Sequence, residues 1–279
     1  MFVSLDIGGT KTRIAFSEDG ESFAPPVKID TPHNFDEGIA AIAALIKSAE
    51  GPIEAAALGI AGVLSKDKHT LLNSPNLPEW VGKPLYNTLS EALNTKLLFI
   101  ENDAAIVGLG ESHKGAGQGA DIVAYLTVST GVGGVRIVKG KIDQNAFGFE
   151  PGHQVLDMDG TVAPFLGIEA EDLVSGAATE IRFGKKAYQV NDPTVWEELA
   201  RMVAYMVNNT VVHWSPDVVV LGGSMMVGNP AIPVGRVEAH LHSILSIFPE
   251  KPKVDTETLA DIGGIHGGFV FINQQLGTL

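Results

Sequence analysis

The sequence predicts an α/β protein of two lobes, each a sheet flanked by helices. Three observations carry the expectation. At 279 residues the chain exceeds the roughly 150 residues of an average domain and can bury two cores. Apolar runs of strand length alternate along it with segments whose apolar residues recur at helical spacing. One local unit also occurs twice, near residues 2–16 and again near 121–138: an apolar strand, a tip rich in glycine and threonine, and an apolar return strand.

The first copy opens the chain. Phe2, Val3, Leu5 and Ile7 read as a buried strand, Gly8-Gly9 as a tight turn, and Arg13-Ile14-Ala15-Phe16 as the return. A glycine tip with Thr10, Lys11 and Thr12 offers backbone amides, hydroxyls and a positive charge, which suits phosphate. Asp6 stands just before the glycines, where it can hold a hydrated Mg²⁺. An ordinary hairpin with an exposed lysine accounts for the same residues. The second copy runs from Asp121 to Val128, turns over Ser129-Thr130-Gly131-Val132-Gly133-Gly134, and returns along Val135–Val138. Two such hairpins in two related halves can clamp one nucleotide.

Composition narrows the classes. Hydrophobic residues make up 45% and mean hydropathy is +0.17, the balance of a globular chain. A net charge of −14 argues against a nucleic-acid surface, which needs clustered Lys and Arg. With no cysteine, disulfides and cysteine metal sites are excluded. No basic flank of a secretory signal precedes the first strand, and no apolar stretch is long enough to span a bilayer. The expectation is a cytoplasmic protein with no nucleic-acid or membrane partner.

The remaining elements follow in order. Val27-Lys28-Ile29 reads as an edge strand, and residues 35–49 as a helix with Ile39, Ile42, Ala43, Leu45 and Ile46 on its buried stripe. Ala55–Ile60 is a buried strand. In the loop after it, Pro75 and Pro78 hold Asn76 extended; its amide suits a polyhydroxyl ligand or an Asx-turn. Pro84–Leu93 reads as a helix and Leu97–Ile100 as a strand, followed by Glu101-Asn102-Asp103 and a helix through Ser112. Asn102 and Asp103 thus sit where α/β proteins place ligand groups, a position in which Asp103 can equally cap the helix. Gly115–Gly119 is a connector near the lobe boundary. Pro-Gly brings Glu150 and His153 together, for structure or for function. Ala170–Ala178 is a short helical stretch, and Thr194–Trp214 a long amphipathic helix. Asp217–Leu221 is an apolar strand ending in Gly222-Gly223, where backbone can approach a flat ligand such as a purine. A helix ending near Leu245 and a strand at Lys253-Val254-Asp255 follow. The glycine pairs 263–264 and 267–268 in the last segment suggest close helix–backbone packing.

Six of these segments, in this order, resemble the ROK family of bacterial sugar kinases, a branch of the actin-like ATPase (ribonuclease H-like) fold shared with hexokinase. They are Asp6–Thr12, Ser74–Trp80, Glu101–Ala104, Thr130–Gly134, Glu150–His153 and Leu221–Ser224, and the resemblance covers almost the whole chain. It implies a mixed sheet in each lobe and an active site in the inter-lobe cleft. The expected lobes are residues 1–114 and 115–260, with 261–279 a C-terminal helix packing back on the first. It implies ATP-dependent phosphorylation of a hexose, with glucose the leading substrate and fructose, mannose and N-acetylhexosamines open. Asp103 would be the general base, and Asn76, Asn102, Glu150, His153 and Glu171 would hold sugar hydroxyls. Gly8, Gly9, Thr10, Lys11, Thr130 and Gly131 would face phosphates, Asp6 would orient Mg²⁺ through water, and Gly222 and Gly223 would border adenine. A homodimer follows by family analogy alone.

The chain also departs from the family. Most relatives carry a cysteine-rich zinc loop after the histidine, whereas Gln154–Ala170 has no cysteine. No structural zinc is expected, and a sugar loop held by packing. Ser129 replaces a glycine that many relatives have. A non-catalytic sugar sensor, an actin-like ATPase with another acceptor, an inactive structural member and a polyphosphate donor remain as alternatives.

Overall fold

The computed structural model describes residues 1–47, 51–162 and 165–279. They form two compact units, Met1–His113 with Gln144–Gly148 and Asp261–Leu279, and Lys114–Asp143 with Phe149–Ala260.

In the first unit, β1 (Phe2–Ile7) and β2 (Lys11–Ser17) form the expected antiparallel hairpin. Neither Gly8 nor Gly9 takes a left-handed φ, so the turn does not demand glycine for its dihedrals. Gly9 is required for space instead: a Cβ there would collide with the side chain of Asn76. β3 (Val27–Asp30) pairs with β2 at the edge. Helix α1 covers Phe35–Ile46, with Asn34 accepting hydrogen bonds from the amides of Asp36 and Glu37. The last residues of the expected 35–49 helix, 48 and 49, lie outside the described residues. β4 (Ala55–Ile60) is fully buried. A two-stranded ribbon, β5 (Val63–Leu64) with β6 (Leu71–Asn73), was not read from the sequence. Helix α2 (Leu85–Leu93), β7 (Leu98–Asn102) and helix α3 (Asp103–Lys114) follow.

The sheet order is β3-β2-β1-β4-β7, with β1, β4 and β7 parallel. Alternation along β1 sorts its side chains between two faces. Val3, Leu5 and Ile7 join Ile39, Ile42, Leu85 and Leu89 in one core. Ser4 and Asp6 turn to the other face, where the C-terminal helix (Gly263–Leu276) lies. Its glycines permit close approach on two sides: a Cβ on Gly267 would run into the carbonyl of Ile106 on α3, and one on Gly268 into Ser4 Oγ on β1. Ile265, Phe269 and Ile272 pack there on Ala15, Ala55 and Ala57.

The second unit repeats the pattern. β8 (Ile122–Val128), β9 (Val132–Val138) and β10 (Lys141–Ile142) are antiparallel neighbours. β9 starts three residues earlier than expected, because Gly133 and Gly134 pair with Thr127 and Leu126 rather than turning. The expected single stretch at 170–178 is two helices, α4 (Ala170–Val174) and α5 (Gly176–Phe183). They are broken at Ser175, whose extended backbone and hydroxyl cap α5. Helix α6 (Pro193–Trp214), β11 (Val218–Gly222), the short α7 (Ser224–Val227), α8 (Val234–Ile244) and β12 (Lys253–Thr256) complete it. The order β10-β9-β8-β11-β12 matches the first sheet strand for strand. Trp196, Leu199, Val203, Met206, Val207 and Thr210 are all buried, as their helical spacing predicts. Among the described residues no helix is long and apolar enough to cross a membrane.

Candidate functional site

The first unit gathers its polar residues where β1 and β7 end. Glu101 is buried, and its Oε1 accepts both Lys68 Nζ at 2.8 Å and the Asn102 amide at 2.9 Å. That anchors the strand end. Asn102 Oδ1 then accepts the Ala105 amide (3.1 Å), while its Nδ2 donates to Gly62 O (3.2 Å). The helix cap is therefore set by Asn102. Asp103 occupies the first helical position, its Oδ1 accepting the amide of Ala104 (2.9 Å). A carboxylate is favoured at that end of a helix, where unpaired N–H groups concentrate positive charge.

Asp6 faces the same region. Burial pushes its carboxyl up to about 6, the charge of Asp103 adding to the rise and Arg13 opposing it. Arg13 Nη1 lies 3.3 Å from Asp6 Oδ2, and its Nη2 donates to Asp261 at 2.8 Å. The Asp6 side chain is 14% exposed. A buried oxygen donor with a second carboxylate nearby and one opposing cation fits a hydrated divalent cation held through water.

At the hairpin tip the backbone is tied down locally. Gly8 N donates to Lys11 O (3.0 Å), Thr31 Oγ1 donates to Gly8 O (2.8 Å), and the Lys11 ammonium pairs with Asp30. Thr10 is exposed. In the neighbouring loop, Ser74 makes the turn: its hydroxyl accepts the Leu77 amide and donates to Ala61 O. Asn76 is thus not needed for an Asx-turn. It is exposed and rests on Gly9, which joins the sugar-loop candidate to the phosphate-loop candidate within one unit.

The second unit brings Glu150, His153 and Glu171 together, as expected, and adds Glu169, which sequence reading passed over. His153 Nδ1 lies 2.6 Å from Glu169 Oε2. That hydrogen bond raises the imidazole above its ordinary value, burial opposes the rise, and the charges of Glu169, Glu150 and Glu171 support it. Glu150 is itself pushed upward by the surrounding protein, against His153 and with Glu171. Glu171 Oε2 accepts the Val132 amide at 2.6 Å, and a Cβ on Gly131 would sit 2.6 Å from that oxygen. The Gly176 and Ala177 amides donate to the carbonyls of Ser129 and Thr130. The second hairpin is therefore held from below by the segment that carries Glu171, with Thr130 exposed at its tip. Ser129 Oγ lies 3.0 Å from Ser224 Oγ, so this serine finds its partner beside the Gly222-Gly223 turn.

The interval 154–170 corrects one expectation. Packing does not hold it alone: buried Asp157 accepts the amides of Thr161 and Val162 and the Thr161 hydroxyl. The donor set does not fit a structural zinc. There is no cysteine, and Asp157 is spent on backbone amides. Among the described residues no three His, Cys, Asp or Glu side chains cluster as a metal site.

The sequence model of the ROK family matches residues 2–275. A glucokinase from Thermotoga maritima is 25% identical, over 99% of this chain and 98% of its own. An N-acetyl-D-glucosamine kinase from Vibrio atlanticus is 30% identical, over 98% of this chain and 99% of its own. The crystal structure of a ROK hexokinase from Thermus thermophilus superposes with a TM-score of 0.82 at 29% identity, covering 99% of both chains. That of a ROK glucokinase from Streptomyces griseus, in complex with glucose and AMPPNP, superposes with a TM-score of 0.80 at 24% identity over 98% of this chain and 99% of that one.

Proposed function

The chain belongs to the ROK family, with the α/β fold of two mixed five-stranded sheets seen in the family's kinases, and from that premise we propose that it phosphorylates a hexose hydroxyl with ATP. The observation that carries the reading is the placement of Asp103. It stands at the first position of α3, oriented by its own helix and by the Asn102 cap, with its charge acting on Asp6.

In this reading the Asp103 carboxylate takes the proton of the attacking sugar hydroxyl. Phosphoryl transfer rests mostly on positioning and on stabilising charge, so one placed carboxylate suffices for the proton. Asn76 and Asn102 in the first unit, and Glu150, His153 and Glu171 in the second, bind sugar hydroxyls. Gly8, Gly9, Thr10, Lys11, Thr130 and Gly131 line the phosphates, and Gly222 and Gly223 border adenine. Asp6 holds Mg²⁺ through water; when bound, the ion neutralises charge on the phosphates. Glu171 serves both ends of the reaction: one oxygen fixes the second hairpin, and the other remains for the sugar.

Glucose is the leading substrate, supported by the Thermotoga relative. The Vibrio relative, at the higher identity, supports N-acetyl-D-glucosamine as the second reading. A coupled ADP-release assay against hexoses and N-acetylhexosamines, with a no-sugar blank, tests both. Turnover with one sugar and a low blank is expected. Absence of sugar-dependent turnover with ATP, and then with polyphosphate, would move the assignment to a sugar sensor. ATP hydrolysis indifferent to sugar would refute the sugar-kinase reading.

A further inference from the structure

We infer that Glu257 is a positioning residue for nucleotide binding that acts through the Gly222–Gly223 turn; this rests on the kinase reading, in which that turn borders adenine. Glu257 lies one residue past β12, and its amide donates to Leu221 O at 3.0 Å, so it continues the sheet beside the end of β11. Its carboxylate bridges three adjacent strands. Oε2 accepts the Tyr125 hydroxyl from β8 at 2.8 Å, and Oε1 accepts the Gly223 amide at 3.1 Å.

The two glycines are fitted to that carboxylate. A Cβ on Gly222 would collide with Glu257 Oε2 and lie 2.5 Å from the Tyr125 hydroxyl. Gly223 has φ +87°, and a Cβ on it would come 2.5 Å from Val128 O and 2.6 Å from Thr127 Oγ1. The amide of Gly223 is therefore occupied by Glu257, which fixes the plane of its peptide. The next residue, Ser224, opens α7 and reaches Ser129 at the root of the second phosphate hairpin. One carboxylate thus sets the turn assigned to adenine and, through Ser224, keeps it in register with the hairpin assigned to phosphate. Without the carboxylate the Gly223 amide and the Tyr125 hydroxyl both lose the acceptor that Glu257 supplies, and the turn loses the contact that selects one geometry.

The test uses the full chain with E257A, E257Q and G222A. The readouts are KM for ATP, KM for sugar, kcat, Tm, and Kd for a fluorescent ATP analogue measured without sugar. E257A is expected to raise both KM for ATP and the analogue Kd by about tenfold or more, the loss of a hydrogen-bonded charged acceptor. KM for sugar stays within about twofold, since Glu257 holds the Tyr125 hydroxyl and the Gly223 amide, neither of which is assigned to the sugar. E257Q stays within about threefold of wild type, because the glutamine oxygen accepts the Gly223 amide while its NH₂ donates to the Tyr125 hydroxyl. G222A resembles E257A alone but adds little to it, since the displaced carboxylate is already gone. E257A that lowers Tm while leaving KM for ATP and the analogue Kd unchanged would overturn the inference, as would E257Q as impaired as E257A. A wild-type chain that binds no analogue and turns over no ATP would instead sink the kinase reading on which it stands.

Discussion

Replacing Asp6 by asparagine should stabilise the ligand-free protein while abolishing its chemistry. Burial and the neighbouring Asp103 lift the Asp6 carboxyl from 3.8 to about 6, even with Arg13 beside it. At 1.36 kcal/mol per pH unit, ionising it costs the folded chain about 3 kcal/mol more than the unfolded chain. Between these two values the folded chain holds the proton and the unfolded chain has released it. The contribution to stability is therefore greatest below pH 3.8, falls as pH rises to about 6, and is flat above. Of the total, about 1.4 kcal/mol falls between pH 5 and pH 8. Urea unfolding of wild type and D6N, in EDTA and without nucleotide, reads this directly. The stability of D6N relative to wild type should rise by about 1–1.5 kcal/mol from pH 5 to pH 8. Taking the difference between the two pH values cancels any pH-independent effect of losing the Arg13 pair. A pH-independent difference between the two proteins would refute the claim that Asp6 is held charged against its surroundings.

Four other outcomes follow from the geometry. D103N should lower kcat by about 10²–10⁴-fold while sugar Kd, read by calorimetry, stays within about threefold; turnover within tenfold of wild type would remove the general-base role. G131A places a Cβ 2.6 Å from Glu171 Oε2, and should raise KM for ATP by about tenfold by dislodging the acceptor of the Val132 amide; unchanged nucleotide affinity would show that the hairpin does not need Glu171. G267A drives a methyl into the Ile106 carbonyl and should cost about 1–3 kcal/mol in urea unfolding, with no loss counting against close helix packing. In NMR titrations His153 should lose its proton above the ordinary imidazole value of 6.5, so the Glu169 pair stabilises the fold below that pH and ceases to as pH rises through the folded value; E169Q should lower the midpoint, and an unmoved midpoint would remove Glu169 as the cause.

Much of the fold was legible because its strands are short apolar runs punctuated by glycine, and its helices carry stripes at helical spacing. The duplicated hairpin was visible for the same reason. The β5–β6 ribbon was not, since Val63-Leu64 and Leu71–Asn73 are too short to show a period. The break at Ser175 was missed because serine inside an apolar stretch reads as a tolerated helical residue until its hydroxyl is seen capping α5. Local motifs pointed to Asp103, Glu150 and His153 as candidates, and the family resemblance to Glu171. Neither could find the Glu169–His153, Glu257–Gly223 or Arg13–Asp261 pairs, whose members lie 16, 34 and 248 residues apart. A carboxylate or guanidinium paired across such separations leaves no local signature. The Glu169-X-X-Asp172 spacing, in which Asp172 accepts the Glu169 amide at the start of α4, is the one local signal that Glu169 is ordered.

The glycine-lined C-terminal helix has a consequence for the order of folding. Its residues are synthesised after every strand of both sheets, yet they cover Ala15, Ala55 and Ala57 on a sheet whose own strands are made before those of the other unit. The apolar face of that sheet stays open until this helix is made, by which point the strands of the other unit, ending at Thr256, are complete. The first sheet must therefore wait, with apolar surface exposed, for a helix made after the whole of the other unit's sheet. A chain stopped after Ala260 should show this in limited proteolysis: cuts within residues 1–113, with the later unit protected. Equal protection of both would mean that the opening sheet needs no such closing piece.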